Sequence, residues 1–243
     1  MRTSRIYHQG SLSHNQEFEL ESQAAIHLAR VLRCKEGDEL ILFNGDGNEY
    51  SATINRIHRN HVWVKVLSEQ PVNRESPLNI TLLQAISKGE RMDYTIQKAV
   101  ELGISNIIPL ITERSLSLKA DRATKKLQHW KGVITSACEQ CGRNIIPDIL
   151  EPITLTDWLM NCDKNALNLI LAPTASTSLN EIDYSEKNIT LLIGPEGGLT
   201  DNEISQCLHH GLSGVKMGPR ILRTETAAIT ALSIIQSRWG DLN

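Results

Sequence analysis

The chain has 243 residues, 40% hydrophobic and 22% charged, which is material for one large domain or two of ordinary size. Lys and Arg number 25 against 28 Asp and Glu, a net charge of -3, which excludes a protein that coats nucleic acid through bulk charge; any RNA binding must come from local basic patches. Five cysteines without framework spacing fit a reducing compartment, the start MRTSRIYHQG lacks the apolar core of a signal peptide, and no apolar run is long enough to span a bilayer, so the expected location is the cytoplasm.

From Arg2 to about Val72 the texture is strand-like, with apolar segments at Glu39 to Phe43, Tyr50 to Ile57 and Val62 to Leu67. Asn44-Gly45 and Asp46-Gly47 mark a hairpin turn between the first two. A helix over Ser22 to Leu32, with Ala25, Leu28, Ala29 and Leu32 on one face, interrupts the pattern. This predicts a small β-barrel over residues 1–72, followed by a polar linker, Arg74 to Pro77, that ends in proline.

Residues 73–243 alternate apolar runs with helical patterns. The expected strands are Ile80 to Ile86, Asn106 to Ile111, Leu167 to Ala172, Ile189 to Ile193 and Val215 to Gly218. Between them fall helices over Glu90 to Leu102, stopped by Gly103, Thr124 to Cys141, Asp201 to His210, and Glu225 to Trp239. The order predicts an α/β domain with a mostly parallel sheet covered on both faces, whose ligands sit beyond the carboxyl ends of the strands.

Two glycine- and proline-marked loops fall at such ends, GPEGGLT from Gly194 and MGPRILRTETA from Met217. Thr200 with Glu203 three residues on reads as a capping box opening the helix after the first loop. GPEGG lacks the G-x-G-x-x-G spacing of a dinucleotide fingerprint and the Lys-Ser/Thr of a Walker loop. Bare backbone and a helix N-terminus at what look like neighbouring strand ends instead form a polar crevice for a small ligand. Arg220 and Arg223 flank the second loop and can orient a planar acceptor, while Glu225 suits the first turn of a helix; a structural Arg223–Glu225 ion pair is the alternative.

Cys138 and Cys141 lie on the apolar stripe of Leu127, Trp130, Ile134 and Ala137, so packing is preferred to a metal or redox role and no metal is expected. Between Glu113 and Lys131 six basic residues, Arg114, Lys119, Arg122, Lys125, Lys126 and Lys131, face two acidic ones. Arg2, Arg5, Tyr7 and His8 crowd one short arm, and Arg30, Arg33 and Lys35 end the first helix. Phosphate oxygens favour such groups and Tyr7 offers a stacking face; a merely solvated polar face remains open for each patch.

With RIYH at Arg5, HLARVLR at His27, SKGERMDYTIQKAVELG at Ser87, ACEQCGRNIIP at Ala137, LLIGPEGGLT at Leu191 and MGPRILRTETA at Met217, the chain resembles the bacterial RsmE-type methyltransferases along nearly its whole length. The resemblance implies methylation of N3 of one uridine, the 1498 position, in 16S ribosomal RNA of the small subunit. It implies a C-terminal SPOUT α/β domain with a deep trefoil knot, preceded by a PUA-like barrel that binds RNA. The ligand it implies is S-adenosylmethionine, held bent by three loops: Leu171 and Ala172, Gly194, Pro195, Glu196, Gly197 and Gly198, and Met217, Gly218, Pro219 through Leu222. Ile193, Met217 and Leu222 would pack against the purine.

By the same likeness the protein is a homodimer with the pocket at the subunit interface, its contacts supplied by apolar faces of the closing helix and of the helix after Lys88. Pro173-Thr174-Ala175 carries no basic side chain, so an RNA contact at that loop is not expected. Arg223 is the expected catalytic cation, Arg220 assists it, and Glu225 is the base or a positioning group. The RNA contacts expected are Arg2, Arg5, Tyr7, His8, Arg30, Arg33, Lys125 and Lys126. The alternatives are another knotted methyltransferase acting on a ribose 2'-hydroxyl or on transfer RNA, and a non-catalytic RNA-binding module.

Overall fold

The structure, a computed structural model, describes residues 3–116 and 120–242, the latter with side chains from residue 122. Arg2 and Lys119 lie outside the described residues. The chain divides into two compact units, Met1–Glu75 with Cys138–Ile146, and Ser76–Ala137 with Pro147–Asn243.

In the first unit β1 (Ser4–Tyr7), β2 (Glu17–Glu19), β3 (Glu39–Phe43), β4 (Asn48–His58) and β5 (His61–Pro71) form one sheet in the order β1-β3-β4-β5-β2. β1 runs parallel to β3 and the other pairs are antiparallel. Period-two alternation sends Tyr50, Ala52 and Ile54 of β4 and Val62, Val64 and Val66 of β5 into one core with Leu28 and Leu42. The β3–β4 turn forms as its sequence requires, with Gly45 and Gly47 at φ of +96° and +93°.

The first helix departs from its expected form. Ser22–Ile26 is α-helical (α1), but His27–Leu32 winds as a π-helix, ended by Arg33 in the left-handed region. The wider turn breaks the 3.6-residue stripe, so Ala25 and Leu28 are buried while Leu32 faces solvent.

The boundary between the units falls inside the expected linker, and Arg74 and Glu75 there are bonded within the first unit. Arg74 donates to the Glu49 carboxylate at 2.5 Å and to the Gly142 carbonyl at 3.0 Å. Arg5 pairs with the same carboxylate and donates to Asn144 Oδ1 at 2.6 Å, while Arg143 pairs with Glu75. Asn144 in turn donates to Val72 O at 2.9 Å. This buried ionic cluster explains why a segment 60-odd residues downstream belongs with the first unit, which a boundary near residue 72 does not anticipate.

The second unit holds β6 (Asn79–Ala85), α2 (Arg91–Glu101), β7 (Asn106–Ile111), α3 (Ala120–Cys141, which runs on past Ala137), β8 (Asp148–Ile149), β9 (Ile153–Thr154), α4 (Leu155–Asn161), β10 (Leu167–Leu171), β11 (Asn188–Ile193), α5 (Asp201–His209), β12 (Ser213–Val215) and α6 (Thr224–Trp239). The sheet is parallel throughout, in the order β12-β10-β11-β6-β7-β8, with β9 also on β7. Consecutive residues such as Leu82 and Leu83, or Leu191 and Leu192, are all fully buried, because both faces of the sheet are covered.

Two expectations are corrected here. The strand expected over Val215 to Gly218 ends at Val215, since Gly218 takes φ of +67° in the following turn. β11 and β12 are not neighbours: both flank β10. Thr124 to Cys141 is helical as expected, and burial pushes the Cys138 thiol up to about 12, so it stays protonated and packs as a small apolar group. Among the described residues no group of His, Cys, Asp or Glu could hold a metal, and no helix is long and apolar enough to cross a membrane.

The ionic cluster yields a stability prediction. Glu49→Gln leaves the Arg5 guanidinium, 8% exposed, without its counter-charge and should cost about 3–5 kcal/mol in urea unfolding. Burial pushes the Glu49 carboxyl up, but hydrogen bonds from Arg74 and Arg5 outweigh it and hold the group below its ordinary 4.5. The unfolded chain therefore takes up the proton first, so this contribution is complete above pH 4.5 and drains as the pH falls below it. Unfolding followed against pH should show a shallower acid slope in the variant than in the wild type.

Candidate functional site at four parallel strand ends

Parallel pairing aligns the carboxyl ends of β12, β10, β11 and β6 on one edge of the sheet. Leu171 lies opposite Val215, and Ile193 opposite Gln84. Ala172 N donates to Val215 O at 3.0 Å, and Lys216 N to Thr177 O at 2.9 Å, so the segment leaving β10 runs beside the start of the second glycine loop. The three predicted loops thus leave adjacent strands, with Leu171 and Ala172 in the middle.

The first glycine loop is anchored at almost every residue. The Gly194 carbonyl accepts from Thr224 Oγ1 at 2.7 Å, and Thr224 Oγ1 accepts from Gln84 Nε2 at 2.9 Å. The Glu196 carboxylate accepts from Lys88 N at 2.9 Å and pairs with Arg91 at 2.8 Å. Burial raises that carboxyl, yet main-chain N–H groups and Arg91 outweigh it and keep it below its usual range. The Gly197 carbonyl accepts from Arg114 at 2.9 Å, and Gly198 N closes a turn onto Pro195 O at 2.9 Å. Thr200 and Glu203 form the expected capping box, and the other oxygen of buried Glu203 accepts from Glu113 N at 2.9 Å.

The second glycine loop is more open. Met217 and Leu222 are half-buried, while Gly218, Pro219, Arg220 and Arg223 are exposed and Ile221 is 86% exposed. Arg223 is the N-cap of α6 without a side-chain cap. Among the described residues no ion pair joins it to Glu225, so the structural pairing considered from the sequence is not formed. Glu225 sits in the first turn of α6, and its Oε2 is buried without a hydrogen-bond partner. Met217, Gly218 and Arg220 line a depression of about 220 Å³ with Ser178, Leu179 and Lys216; it borders this loop and not the GPEGG residues.

The expected RNA contacts fall into two groups. Arg5 is engaged in the internal ionic cluster and lies over the Phe43 ring, 5.1 Å away. Tyr7 is tied by its N–H to Glu139 at 3.0 Å, and His8 packs on Phe18 at 4.3 Å, where burial lowers its pKa. Arg30, which donates to Asn60 Oδ1 at 2.9 Å, Arg33 and Lys125 are exposed, and Lys126 is half-buried. Gln84, Thr224 and Arg91 were not singled out from the sequence, and Arg114 and Glu203 were read only as part of a basic patch and as a capping box; one glutamine inside the apolar run from Ile80 to Ile86 was a usable signal.

The profile of an RNA methyltransferase domain matches residues 74–236, and that of an RNA methyltransferase PUA domain matches residues 20–67. The ribosomal RNA small subunit methyltransferase E of Buchnera aphidicola subsp. Schizaphis graminum is 38% identical over 243 residues, 100% of this chain and 99% of that one. The chain belongs to the ribosomal RNA small subunit methyltransferase E family. The Bacillus subtilis member is 31% identical, covering 90% of this chain and 89% of its own. Two solved structures superpose over 100% of both chains. One is a putative methyltransferase from Legionella pneumophila with bound cofactor SAM, with a TM-score of 0.96 and 46% identity. The other is the methyltransferase E of Neisseria gonorrhoeae bound to S-adenosyl methionine, with a TM-score of 0.92 and 37% identity.

The first glycine loop is a tight fit at Gly194. A Cβ on Gly194 would lie 3.1 Å from Leu199 Cγ and 3.2 Å from its backbone N, so Gly194→Ala should destabilise by about 1–3 kcal/mol through overpacking. Gly198, at φ of +69°, has nothing within 4 Å of such an atom; Gly198→Ala should cost about 1–2 kcal/mol through backbone strain alone. Gly198→Asn should recover part of that loss in urea unfolding, whereas Gly194→Asn should not.

Proposed function

We propose that this protein transfers a methyl group from S-adenosylmethionine to 16S ribosomal RNA of the small subunit, at N3 of one uridine. The reading is carried by three loops that leave adjacent parallel strands at one sheet edge, in a chain of the methyltransferase E family. Glycine backbone with open space beside Gly198 and Gly218 suits a small polar ligand held by main-chain atoms. Leu171, Ala172, Ile193, Met217 and Leu222 would supply its apolar bed. S-adenosylmethionine supplies an activated methyl on a sulfonium.

In the transfer, N3 of uracil forms the new bond to the methyl carbon as the carbon–sulfur bond breaks, and the electron pair of that bond leaves with sulfur. The N3 proton must go to a base. Glu225, whose Oε2 has an open acceptor position, is the residue we assign to receive the proton or to orient the water that does. Negative charge develops on the uracil oxygens, and the exposed guanidinium of Arg223, assisted by Arg220, is the cation we assign to stabilise it. Arg30, Arg33, Lys125 and Lys126 are assigned to RNA phosphates.

The same reading takes the C-terminal unit as a trefoil-knotted SPOUT domain and the first as a PUA-like barrel. It also takes the working form as a homodimer through α6 and α2, located in the cytoplasm.

Arg223→Ala should abolish methyl transfer to small-subunit RNA while leaving S-adenosylmethionine affinity within about threefold by calorimetry. Near-normal turnover would reject Arg223 as the cation. Mass mapping of the product RNA checks the target: a methyl on a ribose, or on transfer RNA, would replace the uracil N3 assignment.

A further inference from the structure

Thr224, at the C-terminal end of the second glycine loop, is 5% exposed, and Gln84, near the end of β6, is fully buried. The Gly194 carbonyl can only accept, so the single proton of the Thr224 hydroxyl points to it. The Thr224 oxygen must then accept from Gln84 Nε2, whose second proton goes to Ala85 O at 3.2 Å. Every donor in this relay has one possible direction. It runs from the end of β6 through the first residue of α6 to the first residue of the GPEGG loop.

The relay is a poor choice if its only task is stability. β6 is otherwise apolar at its core positions, with Ile80, Leu82, Leu83 and Ala85 all at 0% exposure. Gln84 places an amide among them whose Oε1 has no partner. A leucine there would bury more apolar surface and orphan no acceptor. What the amide adds is geometry: it holds the hydroxyl of Thr224, which sits in the chain between Arg223 and Glu225, at a fixed distance from Gly194. In a close-packed interior such a tie sets where the first turn of α6 stands relative to the loop.

We infer that Gln84 and Thr224 are positioning residues for methyl transfer, locking the α6 N-terminus that carries Arg223 and Glu225 onto the GPEGG loop. The inference rests on the methyl-transfer reading above and extends it to two buried residues. Misplacement of reacting groups by about 1 Å is enough to cost around a hundredfold in rate, so loss of the tie should be visible in kcat.

The test uses the full chain, S-adenosylmethionine and small-subunit ribosomal RNA, with kcat expressed per cofactor-binding site counted by calorimetry. Thr224→Val keeps the shape and removes the hydroxyl; its kcat should fall at least about tenfold while the KM for S-adenosylmethionine moves less than about threefold. Thr224→Ser restores the hydroxyl and should return kcat to within about threefold of wild type. Thr224→Val with a lower melting temperature but a wild-type kcat per site would overturn the proposal, as would equal losses in the Val and Ser variants. Should the Val variant not fold, Gln84→Met removes the donor and leaves the hydroxyl in place; an unchanged kcat per site in that variant overturns the inference equally. A wild-type chain that binds S-adenosylmethionine yet methylates no RNA would instead sink the functional reading on which this rests.

Discussion

Parallel pairing is the constraint on which the site depends. In a parallel sheet every strand delivers its carboxyl end to the same edge, so loops far apart in sequence meet there without any contact designed between them. β12, β10, β11 and β6 are held in that order by continuous registers, Leu169 opposite both Ser213 and Leu191, and Ile189 opposite Ile80. The carbonyl of Gly194 and the side chain of Gln84 are brought within reach of Thr224 by this register and by nothing local. A one-residue slip of β11 against β6 would turn the buried rows of both strands over and separate these groups.

Around that edge the two glycine loops are treated differently. The GPEGG loop is tied to α2 through Glu196, to the end of β7 through Gly197 and Glu203, and to α6 through Gly194. The loop from Met217 has its apolar residues half in and its arginines out. A main-chain loop anchored by hydrogen bonds and a loop with exposed cations thus share one edge of the sheet.

The sequence made the elements legible where local rules govern them. The capping box at Thr200 and Glu203, the glycine turns at Gly45 and Gly47, and the apolar runs of β6, β7, β10 and β11 follow from periodicity and turn chemistry, and the structure has them within a residue or two. The π-helical stretch after Ile26 was not legible, because its sequence has the spacing of an ordinary amphipathic helix. Nor were β8 and β9, two residues each, or the insertion of β10 between β11 and β12, which is a matter of chain crossing that no local pattern records. α4 could have been found, since Thr154 with Asp157 three residues on is a cap signal and the Thr154 side chain does accept from Asp157 N.

Charge explains why the site was only half legible. Sequence alone counts arginines; it cannot say which are already neutralised. Arg5, Arg74 and Arg143 in the first unit, and Arg91 and Arg114 in the second, are bound to carboxylates or carbonyls of their own unit. A polyanion would have to break those bonds before it could use them, which for Arg5 means giving up the buried Glu49 carboxylate and the Asn144 amide oxygen. A net charge of -3 is therefore compatible with exposed cations at the surface, Arg33, Lys125, Arg220 and Arg223 among them. The last two lie just before the start of α6, where the Thr224 hydroxyl accepts from Gln84 and donates to the Gly194 carbonyl.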